Sequence, residues 1–213
     1  MDKTNNFFKA LSVFMAGLIL GFLISKIDFT APAVSSINSS GSTKVMGNDN
    51  AKVTITEYSD FQCPLCKKYF DESFPTIIKD YVETGKVKYV FKHFPLNIHP
   101  QAPDAALAAE CALAQNKFWE MHDQLFTTQS QWSESPNHND QFKKIAADLK
   151  LDTVKFGQCL DNKQFQTNVE KDYSDGLANN FRGTPSFKIN DEVIIGAQDL
   201  SNFTDTIDKL LKQ

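Results

Sequence analysis

Val53-Thr54-Ile55-Thr56-Glu57-Tyr58, then Ser59-Asp60-Phe61-Gln62, then Cys63-Pro64-Leu65-Cys66: here two closely spaced cysteines stand where a β-branched run gives way to a helical one. Residues 53–58 read as a strand. From Cys66 onward, Tyr69, Phe70, Phe74, Ile77, Ile78, Tyr81 and Val82 recur at spacings of three and four, which makes one apolar helical face. Pro75 should kink or restart that helix. Gly85 is placed to cap its end. Val87-Lys88-Tyr89-Val90-Phe91 reads as a second strand, so strand, helix and strand form a βαβ unit whose strands are parallel.

The position of the cysteines carries chemistry. The thiolate is the nucleophile in disulfide exchange, and a helix N-terminus offers it free N–H groups and the positive end of a dipole. Pro64 suits the first helical position, where its missing N–H costs nothing. In that geometry Cys63 is the exposed attacking sulfur and Cys66 the buried resolving one. Two other readings stay open. Half a zinc site would need a second close pair of ligands, and His93, His99, His122 and His138 are scattered along the chain. A structural disulfide is the other, although the start of a helix is an unusual place for one.

Glu57 shares a strand face with Val53 and Ile55, the face that helices of an α/β sheet would cover. A carboxylate buried there has a raised pKa and can exchange protons with Cys66. A strand-end glutamate in contact with water is the alternative.

Beyond residue 100 the signals are helical: Ala105 to Gln115, Phe118 to Phe126, Phe142 to Leu149 and Phe165 to Phe181, with a polar loop over 127–141. Strand character returns at Ser186-Phe187-Lys188-Ile189. Asn190-Asp191 offers a hairpin turn into Val193-Ile194-Ile195, and a helix from Leu200 to Leu211 closes the chain. The expected fold is α/β, a mixed sheet flanked by helices, in a domain over 51–213 with a helical insertion over about 100–182. Pro185, after Gly183-Thr184, reads from sequence alone as an ordinary strand-start proline.

Upstream, ALSVFMAGLILGFLI (10–24) is apolar and follows Lys3 and Lys9. It falls short of the roughly 20 residues that span a bilayer, but flanking apolar residues could extend it if the lysines snorkel. Ala31-Pro32-Ala33 also fits a signal-cleavage site. Residues 1–29 are thus a signal peptide or a membrane anchor, and either exports the rest. Residues 30–50, rich in Ser, Asn and Gly, read as a flexible linker; about 20 such residues would reach roughly 25 Å.

Net charge is -4 and 18 phenylalanines supply core material. Lys and Arg are dispersed, without the basic footprint of a nucleic-acid binder. Four cysteines are too few for a disulfide-built scaffold. In an oxidising compartment Cys111 and Cys159, both in the helical region, would form a structural pair worth roughly 4 kcal/mol by loop entropy; two separate buried thiols are the alternative. No cofactor or metal is expected.

Glu57, Cys63-Pro64-Leu65-Cys66, a helical insertion and Gly183-Thr184-Pro185 together resemble the thioredoxin superfamily, and the insertion makes the chain similar to DsbA-like disulfide oxidoreductases. Lys92-His93-Phe94-Pro95-Leu96 and Phe118-Trp119-Glu120-Met121-His122-Asp123 resemble segments of the anchored or secreted branch. The resemblance covers roughly residues 45–212. It implies that Thr184–Pro185 is cis and packs against the cysteine pair, with the Thr184 backbone binding an extended substrate segment. It also implies a membrane quinone-linked reductase, DsbB-like or vitamin-K-epoxide-reductase-like, that reoxidises the pair. Strongly oxidising members often carry His where this chain has Leu65, so a less extreme oxidant is expected.

The function expected is oxidation of thiols in exported or secreted proteins. Reduction or isomerisation by the same pair is the alternative, and a non-catalytic polypeptide-binding domain a third.

Overall fold

The computed structural model describes residues 43–213. A five-stranded sheet has the order β1-β3-β2-β4-β5. β2 (Val53–Ser59) lies at its centre, parallel to β3 (Val87–His93) and antiparallel to β4 (Ser186–Ile189). β5 (Glu192–Ile195) returns from β4 through the two-residue turn expected at Asn190-Asp191. β1 (Val45–Met46) is an antiparallel edge strand on β3 and falls within the range read as linker. Two paired residues are too few to show a strand period. The rest of that range up to residue 42, and the signal or anchor expected over 1–29, lie outside the described residues. Among the described residues, no helix is long and apolar enough to cross a membrane.

α1 (Pro64–Glu72) follows β2, and α2 (Phe74–Ile77) restarts around Pro75 before a π-helical turn over Ile78–Val82. Pro75 has no N–H for the ladder, so the helix breaks there. Gly85 ends it at φ +76, with Lys86 N–H reaching back to Tyr81 O at 2.9 Å.

Between β3 and β4 run α3 (Ala102–Leu113), α4 (Phe118–Thr127), α5 (Gln129–Trp132), α6 (His138–Asp148), α7 (Thr153–Asp161) and α8 (Gln166–Ala178). Two departures from the sequence reading stand out. The polar stretch 127–141 contains α5, because Trp132 is fully buried, donates to Leu125 O and packs on Phe142. α7 forms between the helical stretches that the sequence signals mark; Asp152 caps it by accepting from Lys155 N–H.

α9 (Leu200–Leu211) completes the chain. On one sheet face Tyr69 of α1 meets Phe187 of β4 and Phe203 of α9, with ring centroids 4.5 and 5.2 Å apart. Phe126 of α4 packs on Phe61 and Phe70 there. Tyr58, Phe94 and Phe181 form a second apolar cluster. α8 approaches it so closely that a Cβ on Gly176 would fall 2.5 Å from the Phe94 ring.

Candidate active site

Cys63 is the N-cap of α1, with extended backbone (φ −71, ψ 125), and Pro64 occupies the first turn. Lys67 N–H bonds Cys63 O at 3.1 Å, so the helix begins at this residue. The N–H groups of Leu65 and Cys66 are therefore free to face the sulfur. Cys63 and Cys66 are both thiols, and both are buried. This corrects the expectation of an exposed attacking sulfur: Cys63 is only 5% accessible. The reason is the chain opposite, where Cys63 Sγ lies 3.5 Å from Thr184 O. The Thr184–Pro185 bond is cis. The Thr184 hydroxyl oxygen is buried and makes no hydrogen bond among the described residues in this dithiol state.

The two sulfurs differ electrostatically. A hydrogen bond from the Cys66 thiol, against a burial penalty, brings Cys63 down to about 6, with help from the amides of Cys66 and Leu65. Burial pushes Cys66 well above the ordinary thiol value, and the neighbouring Cys63 anion pushes the same way. The outer sulfur thus favours the anion and the inner one the thiol.

Glu57 is buried on the face it shares with Val53 and Ile55. Burial raises its pKa, opposed by His122, by the hydrogen bond from Tyr89 and by the nearby Ser59 hydroxyl. Tyr89 OH donates to Glu57 Oε2 at 2.5 Å, and Tyr69 OH lies 3.1 Å from Tyr89 OH. Glu57 and Cys66 have a common neighbour in Ser59, whose hydroxyl favours the charged form of each. The Ser59 hydroxyl oxygen is buried and makes no hydrogen bond of its own among the described residues.

The turn before Cys63 is pinned by residues that sequence reasoning missed. Gln129, at the start of α5, donates to Phe61 O at 2.7 Å and Cys63 O at 3.2 Å, which ties the insertion to the site. Gln62 donates to Ser133 O and exchanges hydrogen bonds with Gln101. Buried Asp60 accepts from Gln62 N–H, Leu96 N–H and His99 Nδ1. The available signal was a run of polar side chains around a strand end that cannot all face water.

Cys111 and Cys159 lie away from this pair and are joined as a disulfide between α3 and α7. A second buried cluster, His93, Glu110 and Asp172, brings ligand-type atoms within 4.8 Å of one another. Its cation is Lys44, whose ammonium bonds Glu110 at 2.7 Å and Asp172 at 2.5 Å. Burial drives Glu110 up, but His93 and Lys44 outweigh it and hold its pKa at about 2.

A family model described as Thioredoxin matches residues 39–209. Disulfide bond formation protein D of Bacillus subtilis is 34% identical over 187 residues, covering 84% of this chain and 82% of that protein. The chain belongs to the DsbA-like branch of the thioredoxin family. Among solved structures, oxidised BdbD from Bacillus subtilis superposes with a TM-score of 0.74 at 31% identity, over 81% of this chain and 94% of that one. Wolbachia pipientis alpha-DsbA1 gives 0.71 at 28% identity, over 80% and 91%. This DsbA-like chain is therefore a thiol–disulfide oxidoreductase with a thioredoxin-like fold and a helical insertion.

Proposed function

We propose that this oxidoreductase is an extracytoplasmic oxidase of protein thiols and that Cys63 and Cys66 are its redox pair. A substrate thiolate attacks Cys63 Sγ of the disulfide form, a mixed disulfide forms, and Cys66 leaves as a thiolate that takes up a proton. A second substrate thiolate then attacks the substrate sulfur of the mixed disulfide and expels Cys63. The substrate gains a disulfide and the pair holds the two electrons. The observation that carries this direction is the place of Cys63 at the N-cap of α1, where the amides of Leu65 and Cys66 favour its anion and so the reduced product.

Glu57, through Ser59, is the proton partner of Cys66 in this scheme, and the Thr184–Pro185 segment is where an extended substrate lies. Export is supported by the apolar run 10–24 and by a disulfide at Cys111–Cys159, which suits an oxidising compartment. Retention of residues 1–29 as an anchor, with 30–42 as tether, would keep the domain near a membrane quinone-linked reductase that restores the disulfide. The clients are exported or secreted proteins with free thiols.

The test is the reduction potential of Cys63–Cys66 against glutathione, combined with capture of clients by Cys66→Ala. A potential above that of the glutathione pool and trapped exported proteins support the oxidase. A potential near that of thioredoxin supports the reductase or isomerase using the same sulfurs. An unreactive Cys63 would exclude both.

A further inference from the structure

The loop after β3 carries a histidine that the scheme above does not use. His99 Nδ1 lies 2.7 Å from Asp60 Oδ2, and its side chain is 16% exposed while that of Asp60 is fully covered. Asp60 in turn is bonded to both cysteines by its backbone. Its N–H points at Cys66 Sγ at 3.5 Å, and its carbonyl accepts from Cys63 N–H at 3.1 Å. Its other carboxylate oxygen, Oδ1, closes the turn onto Gln62 N–H at 2.7 Å, and Oδ2 also accepts from Leu96 N–H at 2.8 Å.

We infer that His99 is a positioning residue for the Cys63–Cys66 couple, acting through Asp60 to hold the turn whose peptide groups contact both cysteines. This rests on the reading of that couple as the redox site. The physical argument has two parts of the same sign. When the disulfide is attacked, charge develops on Cys66, and the Asp60 N–H is the backbone donor aimed at that sulfur. A turn free to relax loses that aim. In addition, a buried carboxylate that loses the imidazole N–H is left short of a hydrogen-bond donor, which loosens the turn it holds through Gln62 N–H and Leu96 N–H. Leu65 offers no polar group between the cysteines, and the imidazole on the neighbouring loop reaches this turn through Asp60.

Two isosteric choices separate positioning from mere stability. In His99→Asn the amide N–H can stand where imidazole Nδ1–H stands; in His99→Gln the longer chain carries its N–H past that point. The wild type, both variants and His99→Ala are equilibrated with glutathione, and Cys63 is titrated by its ultraviolet absorbance. One hydrogen bond of ordinary net strength predicts that Ala and Gln lower the oxidising equilibrium constant about tenfold, roughly 30 mV for a two-electron couple. Asn should recover most of that loss, and Cys63 should titrate higher in the Ala and Gln variants. Equilibrium constants equal to wild type in Gln and Ala overturn the inference, even if stability falls. Equal losses in Asn and Gln overturn it too. An unreactive Cys63 in the wild type would instead sink the reading of the site itself.

Discussion

The phenol of Tyr89 donates to Glu57 Oε2 at 2.5 Å between two adjacent strands, and its oxygen lies 3.1 Å from the phenol of Tyr69 on α1. Glu57 therefore sits in an apolar layer with a hydrogen-bond partner but at a desolvation cost. Because burial raises its pKa above the ordinary value, its protonated form contributes stability below the usual carboxylate range. That contribution is lost as pH rises through the folded-state value.

Glu57→Gln stays neutral at every pH. It should stabilise the protein by about 1–3 kcal/mol near about pH 8 and by nothing near about pH 4. Urea unfolding of the oxidised form at both pH values checks this. If Glu57 takes the Cys66 proton, the same variant slows oxidation of the dithiol by a small disulfide. Tyr89→Phe should displace the pH profile of that reaction upward, because it removes a donor to the carboxylate.

Cys63 should titrate with a midpoint near 6 in the reduced protein. Cys66→Ala removes the largest stabiliser of the anion and should move that midpoint up by about one unit or more. A depressed thiol pKa also links to stability. In the reduced form its contribution is full above the free-cysteine value of about 8.5 and is lost as pH falls through about 6. Thermal unfolding of reduced and oxidised protein across that window should show the difference.

Replacing Cys111 and Cys159 by alanine opens a loop of sequence separation 48. The expected loss is about 2–4 kcal/mol in chemical unfolding. The Cys63 titration should not move, since this disulfide joins α3 to α7 and neither helix supplies a hydrogen bond to the pair. A changed Cys63 midpoint would contradict that separation.

Lys44→Met leaves Glu110 and Asp172 facing one another without the ammonium. Breaking a buried pair costs about 3–5 kcal/mol; with Lys44 still 18% exposed, about 2–4 kcal/mol is expected near neutral pH. Glu110 has a depressed folded-state pKa, so its share is present above the ordinary carboxylate value and fades as pH falls toward about 2. The penalty of the substitution should shrink over the same acid range.

Local rules determined much of this protein directly from its sequence. The β-branched run over 53–58, the spacings of three and four from Cys66 to Val82, Gly85 as a stop and Asn190-Asp191 as a turn are short-range signals, each read from neighbouring residues. The cysteine spacing at a strand-to-helix junction was equally local. Tertiary structure decided what depends on residues distant in the chain. It covered Cys63 with Thr184, recruited Gln129 from the insertion, set Tyr89 against Glu57 and brought His99 to Asp60. It also folded 129–132 into α5, because Trp132 found a pocket that no window of polar neighbours announces. Secondary structure follows from periodicity along the chain. A pKa, a hydrogen-bond partner and a buried aromatic follow from which surfaces meet, and those meetings exist only once the sheet and the insertion have packed together.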